Sequence, residues 1–331
     1  MAPTRKSSFL WIVGMALLAV AAIATVVRLR SDRRDGHTAR APTEASKGLR
    51  CVSVSPDRFT IEPGGRQELM ARFAGGSGHR RLTWSASGGV LTTSTGRGET
   101  STLDGNFYGD DFDDGVLDPE LWRQEVTKDA YFVEKQGVLL AFLAIGNEDR
   151  AARLESHAVL EGDFAAQVTI RDVSAKGNRG AASLSFVMLD GHTTHVQAIG
   201  GPGYAALEAN TREADGTWRT SASAFYGGGP VTLRVVRLGS SLSCSFDRGS
   251  GQVPLGTFAE VSAGPGRLRL ETWTLGDHPA LESELDNFGA GQNTIVVWQA
   301  PRDALPGSSY AISLGGGCEA KALIGKPSSA H

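Results

Sequence analysis

The sequence predicts an all-β protein: two β-sandwich domains, one interrupted by the other, behind one N-terminal transmembrane helix. Three observations carry this. From Cys51 onward, apolar and polar residues alternate in short runs separated by Gly- and Pro-rich turns, the period of strands in antiparallel sheets. None of those runs holds a helical period of useful length. The strands of residues 50–104 are too few to close a sandwich, and the stretch "GQNTIVVWQAPRDALPGSSYAISLGGGCEAKALIGKP" (291–327) reads as the second half of one.

Composition agrees. A chain of 331 residues holds one to three domains, and 42 glycines suit a turn-rich β protein. The formal charge of −3 gives no basic excess, so nothing favours a nucleic-acid partner.

The first element is Phe9 to Val27, uncharged and apolar, close to the ~20 residues of one membrane crossing. It divides the start into a cytoplasmic segment 1–8, a transmembrane helix or signal anchor 9–27 and a linker 28–48. Ala22-Ile23-Ala24 would suit a signal peptidase, and cleavage is the alternative. Arg5 and Lys6 precede the span; Arg28, Arg30, Arg33 and Arg34 follow it. Counted alone, these would hold the C-terminus in the cytoplasm. The β-rich composition downstream favours the opposite orientation, with the C-terminal domains in the periplasm or at the cell surface.

The next elements belong to the interrupted sandwich, 49–104 plus 291–328. "CVSVSPDRFTIEPGGRQELMARFAGG" alternates through Val52 and Val54, then Phe59 and Ile61, then Leu69, Ala71 and Phe73, and "RRLTWSASGG" adds a strand carrying Trp84. The small polar run "VLTTSTGRGETSTLDG" offers no further partner. Ile295 and Val297 start the complementary set, followed by "SSYAISL" and "CEAKALIG". "IEPGG…ELMARFAGG…LTWSASGG" with "VVWQAP…LPGSSYAISL" resembles the bacterial immunoglobulin-like repeats of surface and secreted proteins. The combined length is near the ~100 residues of such a sandwich. The resemblance implies a first strand running parallel beside the last, which would bring Cys51 and Cys318 to one end and permit a disulfide in an exported protein. Three free thiols is the open alternative. Cys244, in "SLSCSFD", reads as a small buried residue.

Residues 105–290 form the inserted element. Short strands such as "FAAQVTIRD", "AASLSFVML", "THVQAIGG" and "GRLRLETWT" follow one another at turn spacing, the pattern of a two-sheet jelly roll. "DDFDDGVLDPELW", "GDFAAQVTI", "VTLRVVRLGSSLSCSFDRGSG" and the closing "LDNF" resemble the concanavalin-A-like lectin/glucanase superfamily, which includes laminin-G-like modules. That resemblance implies a sandwich with one concave sheet, often used for sugars. It names no activity, because lectins, adhesion modules and hydrolases share the fold.

Candidate chemistry is sparse. Glu282 and Glu284 alternate with Asp286 in "LESELD", and two carboxylates on one strand face are what glycoside hydrolysis needs. Glucanases of the superfamily carry Glu-x-Asp-x-Glu or Glu-x-Asp-x-x-Glu instead, in mid-domain. The departure leaves them weak catalytic candidates beside the plainer reading of a solvated face. Asp110, Asp111, Asp113 and Asp114 crowd one turn. If the opening and closing strands pair, Asp111 and Asp286 could meet at a structural calcium; Asp is equally at home in turns. His192 and His195 lack the neighbours of a zinc site. For sugar binding, His195 and Gln197 share a strand face, as do Tyr204, Glu208, Asn210 and Arg212, with Trp218 or Tyr226 at the rim. An ordinary solvated sheet face looks alike.

The reading expected from sequence is an exported, membrane-anchored module that binds a glycan or cell-surface ligand without catalysis. A glycoside hydrolase and an envelope adhesion or scaffold protein are the alternatives.

Overall fold

The computed structural model describes residues 50–326 apart from 75–77, 94–98, 147–149, 176–178, 259–263, 276–279 and 316. The expected span 9–27 and its flanks 1–8 and 28–48 lie outside the described residues. Among the described residues every regular element is a strand, and no helix is long and apolar enough to cross a membrane.

The strands form three sheets. A four-stranded sheet has the order β1 (Arg50–Ser55), β3 (Arg66–Ala74), β21 (Ile295–Gln299), β5 (Val90–Thr93). A seven-stranded sheet runs β15 (Trp218–Phe225), β14 (Ala206–Arg212), β13 (Thr193–Gly200), β12 (Arg179–Met188), β19 (Gly266–Leu275), β10 (Ala151–Leu160), β7 (Trp122–Val126). The twelve-stranded sheet begins β18 (Gln252–Phe258), β17 (Ser241–Asp247), β16 (Val231–Leu238), β11 (Phe164–Ala175), β20 (Leu281–Gln292). It continues β6 (Thr102–Asp110), β4 (Gly78–Ala86), β22 (Ser309–Leu314), β23 (Cys318–Ile324), β2 (Arg58–Ile61). Its last two members are β9 (Leu139–Leu143), which pairs with β20, and β8 (Ala130–Glu134), which pairs with β9.

Alternation fixes which residues meet between the sheets. The seven-stranded sheet turns Leu154, Leu184, Val196 and Leu270 inward against Val168, Ile170, Leu233 and Leu285 of the twelve-stranded one. A second core lies between the four-stranded sheet, with Leu69, Val296 and Trp298, and the far end of the large sheet, with Trp84, Ile312 and Ala320. Both tryptophans are fully buried, and truncating either would cost about 3–5 kcal/mol. Each satisfies its indole N–H: Trp84 donates to the Asn293 carbonyl and Trp298 to the Gly88 carbonyl, both at 2.9 Å. Gly89 allows the second contact. Its φ is +75°, and a Cβ there would sit 2.3 Å from the Gln299 carbonyl oxygen.

Two expectations change. The boundaries placed at 104/105 and 290/291 fall inside β6 and β20, which pair with each other, so one continuous sheet serves both cores. Gly105 and Gly109 hid β6. They occupy inward positions on either side of Phe107, and a Cβ on Gly105 would meet the Phe107 ring at 2.7 Å. Further, β1 pairs antiparallel with β3, and it is β2 that runs parallel to β23. Cys51 and Cys318 are disulfide-bonded across a Cα separation of 5.8 Å, within the usual range. The bond therefore joins the four-stranded sheet to the twelve-stranded one. Cys244 is free and buried.

Candidate functional site

The outward face of the seven-stranded sheet is built in rows, because antiparallel register sets residues side by side. One row reads Glu125, Arg153, Glu271, Ser183, Gln197, Glu208, Ser223 from β7 to β15. The next reads Arg123, Glu155, Arg269, Ser185, His195, Asn210, Thr220. On the other side of the first row lie Ala151, Trp273, Ala181, Ile199, Ala206 and Phe225. Two polar rows thus run beside an apolar one.

Charge divides the polar rows. On β7, β10 and β19 it is locked in pairs: Arg153 meets Glu271 at 2.6 Å and Glu125 at 3.7 Å, and Glu155 takes Arg123 and Arg269, both at 2.7 Å. On β12 to β15 the groups are mostly neutral, and a concavity of about 560 Å³ opens between the two halves.

The hydrogen bonds in the neutral half are directional. The Glu208 carboxylate accepts from the Tyr204 hydroxyl at 2.8 Å and from the amides of Gln197 at 3.0 Å and Asn210 at 3.4 Å. That contact with Glu208, then burial, raises the Tyr204 hydroxyl above its ordinary range. The Arg179 guanidinium lies 3.8 Å from the Tyr204 ring centre, a cation–π contact that steadies the ring. Because the Gln197 amide nitrogen is committed to Glu208, its carbonyl oxygen points elsewhere; that atom is buried and has no hydrogen-bond partner. The Ser185 hydroxyl in the adjacent row is in the same condition. Buried polar atoms without partners are uncommon and call for an explanation.

His195 supplies the floor. Burial brings its ring down to about 4, against an opposing pull from Glu208, so it is neutral at pH 7. The Asn210 amide lies 3.1 Å from Nε2; with the amide donating, Nε2 accepts and the proton sits on Nδ1. The half-exposed Trp218 indole lies 4.8 Å from the imidazole, tilted by 33°.

Of the residues singled out in the sequence, His195, Gln197, Glu208, Asn210 and Trp218 line this concavity. Arg212 stands behind it, 5.7 Å from the Trp218 ring centre, donating to the Gly216 carbonyl at 3.4 Å. Tyr226 is no rim residue: it is buried in the core, with its hydroxyl donating to the Gly229 carbonyl at 2.8 Å. Sequence reasoning missed Trp273, Glu271 and Arg153, which also line the concavity. The signal was present in "GRLRLETWT", where Arg267, Arg269, Glu271 and Trp273 alternate with inward Leu268 and Leu270.

Glu282 and Glu284 are not in the concavity. Their neighbour Ser283 points into the space between the sheets, where its hydroxyl meets that of Thr272 at 2.7 Å. Alternation along β20 therefore turns both glutamates to the outer face of the twelve-stranded sheet. The two carboxylates that do line the concavity, Glu208 and Glu271, are three strands apart, or about 14 Å at ~4.8 Å per strand.

Of the pair Asp111 and Asp286, the second already has a partner. Asp286 is buried and engaged by Arg171, at 2.9 Å from Nε. Among the described residues no group of three His, Cys, Asp or Glu side chains is arranged to hold a metal ion. The dense carboxylates near this turn act on Glu134 instead. Burial first, and then the carboxyls of Asp114 and Asp110, push Glu134 up to about 8.

No protein-family model matches the chain, and no curated protein sequence does. Solved structures are similar at low identity. LamAcat from Zobellia galactanivorans is 14% identical with a TM-score of 0.44, over 56% of this chain and 96% of that one. A β-1,3-glucanase from Mycobacterium marinum is 15% identical with a TM-score of 0.42, over 58% and 97%. The GH43 protein BlXynB from Bacillus licheniformis is 14% identical with a TM-score of 0.45, over 55% of this chain but 38% of that one. Likenesses of this size assign no activity.

Proposed function

We propose that the chain is an exported, membrane-anchored module that binds a glycan on the concave face of its seven-stranded sheet and performs no catalysis on it. One observation carries the reading: a concavity of about 560 Å³ on this face is lined by the indoles Trp218 and Trp273 together with the polar residues His195, Gln197, Glu208 and Asn210. Sugars offer hydroxyls for such polar groups and apolar faces for indoles. Sites of this kind combine apolar and aromatic walls with a few placed polar groups.

The arrangement of carboxylates supports binding over hydrolysis. Retaining glycosidases hold their two carboxyl groups ~5 Å apart and inverting enzymes ~6.5–9.5 Å apart. The backbones that carry Glu208 and Glu271 are three strands apart, and each carboxylate is held by its own partners, Tyr204 with Gln197 and Arg153.

In the same reading, 49–104 and 291–328 make an immunoglobulin-like spacer and 105–290 a concanavalin-A-like insert, with β6 and β20 running on through both. Its support is long-range pairing: β21 lies between β3 and β5, β22 pairs with β4, and Cys51 is bonded to Cys318. The apolar run Phe9–Val27 supports the anchor.

The test is a glycan-array screen of the full chain in detergent, with product analysis of every oligosaccharide bound. Binding without cleavage supports the proposal. Cleavage would make the protein a glycoside hydrolase, and the absence of any bound glycan would leave a scaffold.

A further inference from the structure

A second feature lies where the four-stranded sheet meets the outer face of the twelve-stranded one, away from the concavity. Met70 of β3 and Ile295 of β21 pack there on Ala165, Val236 and Leu238. Beside this small apolar seam, Arg234 of β16 sits between Gln167 of β11 and Ser245 of β17 in register.

Arg234 is only 5% exposed, and its acceptors are all neutral. Its guanidinium donates to the Gln252 side-chain carbonyl at 2.9 Å, the Gln167 side-chain carbonyl at 3.0 Å and the Met70 sulfur at 3.4 Å. Among the described residues no carboxylate forms an ion pair with it or with Arg72. Burying a charge is costly unless an opposite charge or a metal answers it. A second cation, Arg72, lines the same cavity as Arg234. Burial first, and then Arg72, bring the Arg234 guanidinium down to about 10, while Asp247 pulls the other way from beyond ion-pair range. Arg234 remains a cation at pH 7.

Arg234 and Arg72 line one cavity of about 20 Å³, together with Gln167, Thr294, Phe73 and Met70. A cavity needs ~10–15 Å³ by this measure to take a water-sized particle, so there is space for one small ion and not for an organic ligand.

We propose that Arg234 and Arg72 form a binding site for a small inorganic monoanion, of which chloride is the common example, at the seam between the four-stranded and twelve-stranded sheets. The ion supplies the close countercharge that no described carboxylate gives Arg234, and it ties β3 to β11 and β16. The site is structural: an ion that binds only the assembled seam stabilises it by mass action. It is independent of any glycan on the concave face.

The test uses the full chain in detergent, with sodium chloride replacing sodium gluconate at constant ionic strength. The melting temperature should rise by a few degrees and saturate with chloride. The Arg72→Gln variant, altered at a partly exposed position, should need about tenfold more chloride for half the effect, and Arg234→Met should lose it. Crystals soaked in bromide should show an anomalous peak in the cavity. Equal melting in chloride and gluconate, an undiminished response in Arg72→Gln, or no bromide at the seam would each overturn the site, and none depends on Arg234→Met folding.

Discussion

The Trp218 indole lies 4.8 Å from the His195 imidazole, tilted by 33°. The two residues come from different strands, β15 and β13, with β14 between them. His195 is buried and held by Asn210, so the exposed indole rests on a fixed neutral ring. An aromatic platform held this way loses little freedom when a ligand stacks on it.

Glu208 orients the rest of the site. Replacing it by Gln keeps the shape but removes the carboxylate that draws the Gln197 and Asn210 amides and the Tyr204 hydroxyl. Hydrogen bonds to a charged group are worth about 1.5–3 kcal/mol. The Glu208→Gln variant should fold, bind glycan about tenfold more weakly, and titrate Tyr204 closer to its ordinary range in an ultraviolet pH scan. A free Gln197 amide with unchanged binding would show that its orientation does not matter.

Binding should be insensitive to pH between 8 and 5 as far as His195 is concerned, because the ring stays neutral to about 4. Stability behaves otherwise. The folded value lies below the ordinary 6.5, so the folded state resists protonation. The contribution is complete above 6.5 and is lost as pH falls from there towards 4. Thermal melts in that window, compared with His195→Gln, should show the wild type losing more stability on acidification.

Glu134 has the opposite sign. Its value is raised from 4.5 to about 8, so the folded state favours the protonated acid. That contribution is complete below 4.5 and is lost as pH rises through 8. Glu134→Gln should match the wild type near pH 4.5 and melt higher than it at pH 9. Parallel melting curves across the range would show that Glu134 is not a buried acid.

The Cys51–Cys318 bond closes a separation of 267 residues and joins two sheets. Reducing it should lower unfolding stability by about 2–5 kcal/mol, read by denaturant titration with and without reductant. Cys244, buried and pushed up to about 12 by that burial, should resist thiol reagents until the chain unfolds.

Local pattern was legible in the sequence where one face of a strand is polar and the other apolar. Glu208 and Asn210 against Leu207 and Ala209 is such a case, and its polar face lines the concavity. The alternation of Glu282 and Glu284 was legible too, but alternation alone does not say which face lies inward. Only the Ser283–Thr272 contact between sheets decides that. Trp273 and Glu271 show the same alternation, but their place beside Gln197 and Glu208 rests on pairing of β19 with β12 and β10 across long separations, which local pattern does not display. β6 escaped notice because glycine stands at two of its inward positions, leaving no apolar period to find.

The most direct test is calorimetric titration of the strongest array glycan onto three proteins: wild type, Trp218→Ala, and Glu282→Gln on the opposite sheet. The concave-face account predicts equal affinity for wild type and Glu282→Gln, and at least tenfold weaker binding, about 1.4 kcal/mol, for Trp218→Ala with its melting temperature unchanged. Equal affinity in all three proteins, or loss of binding in Glu282→Gln alone, would contradict it and place the ligand elsewhere.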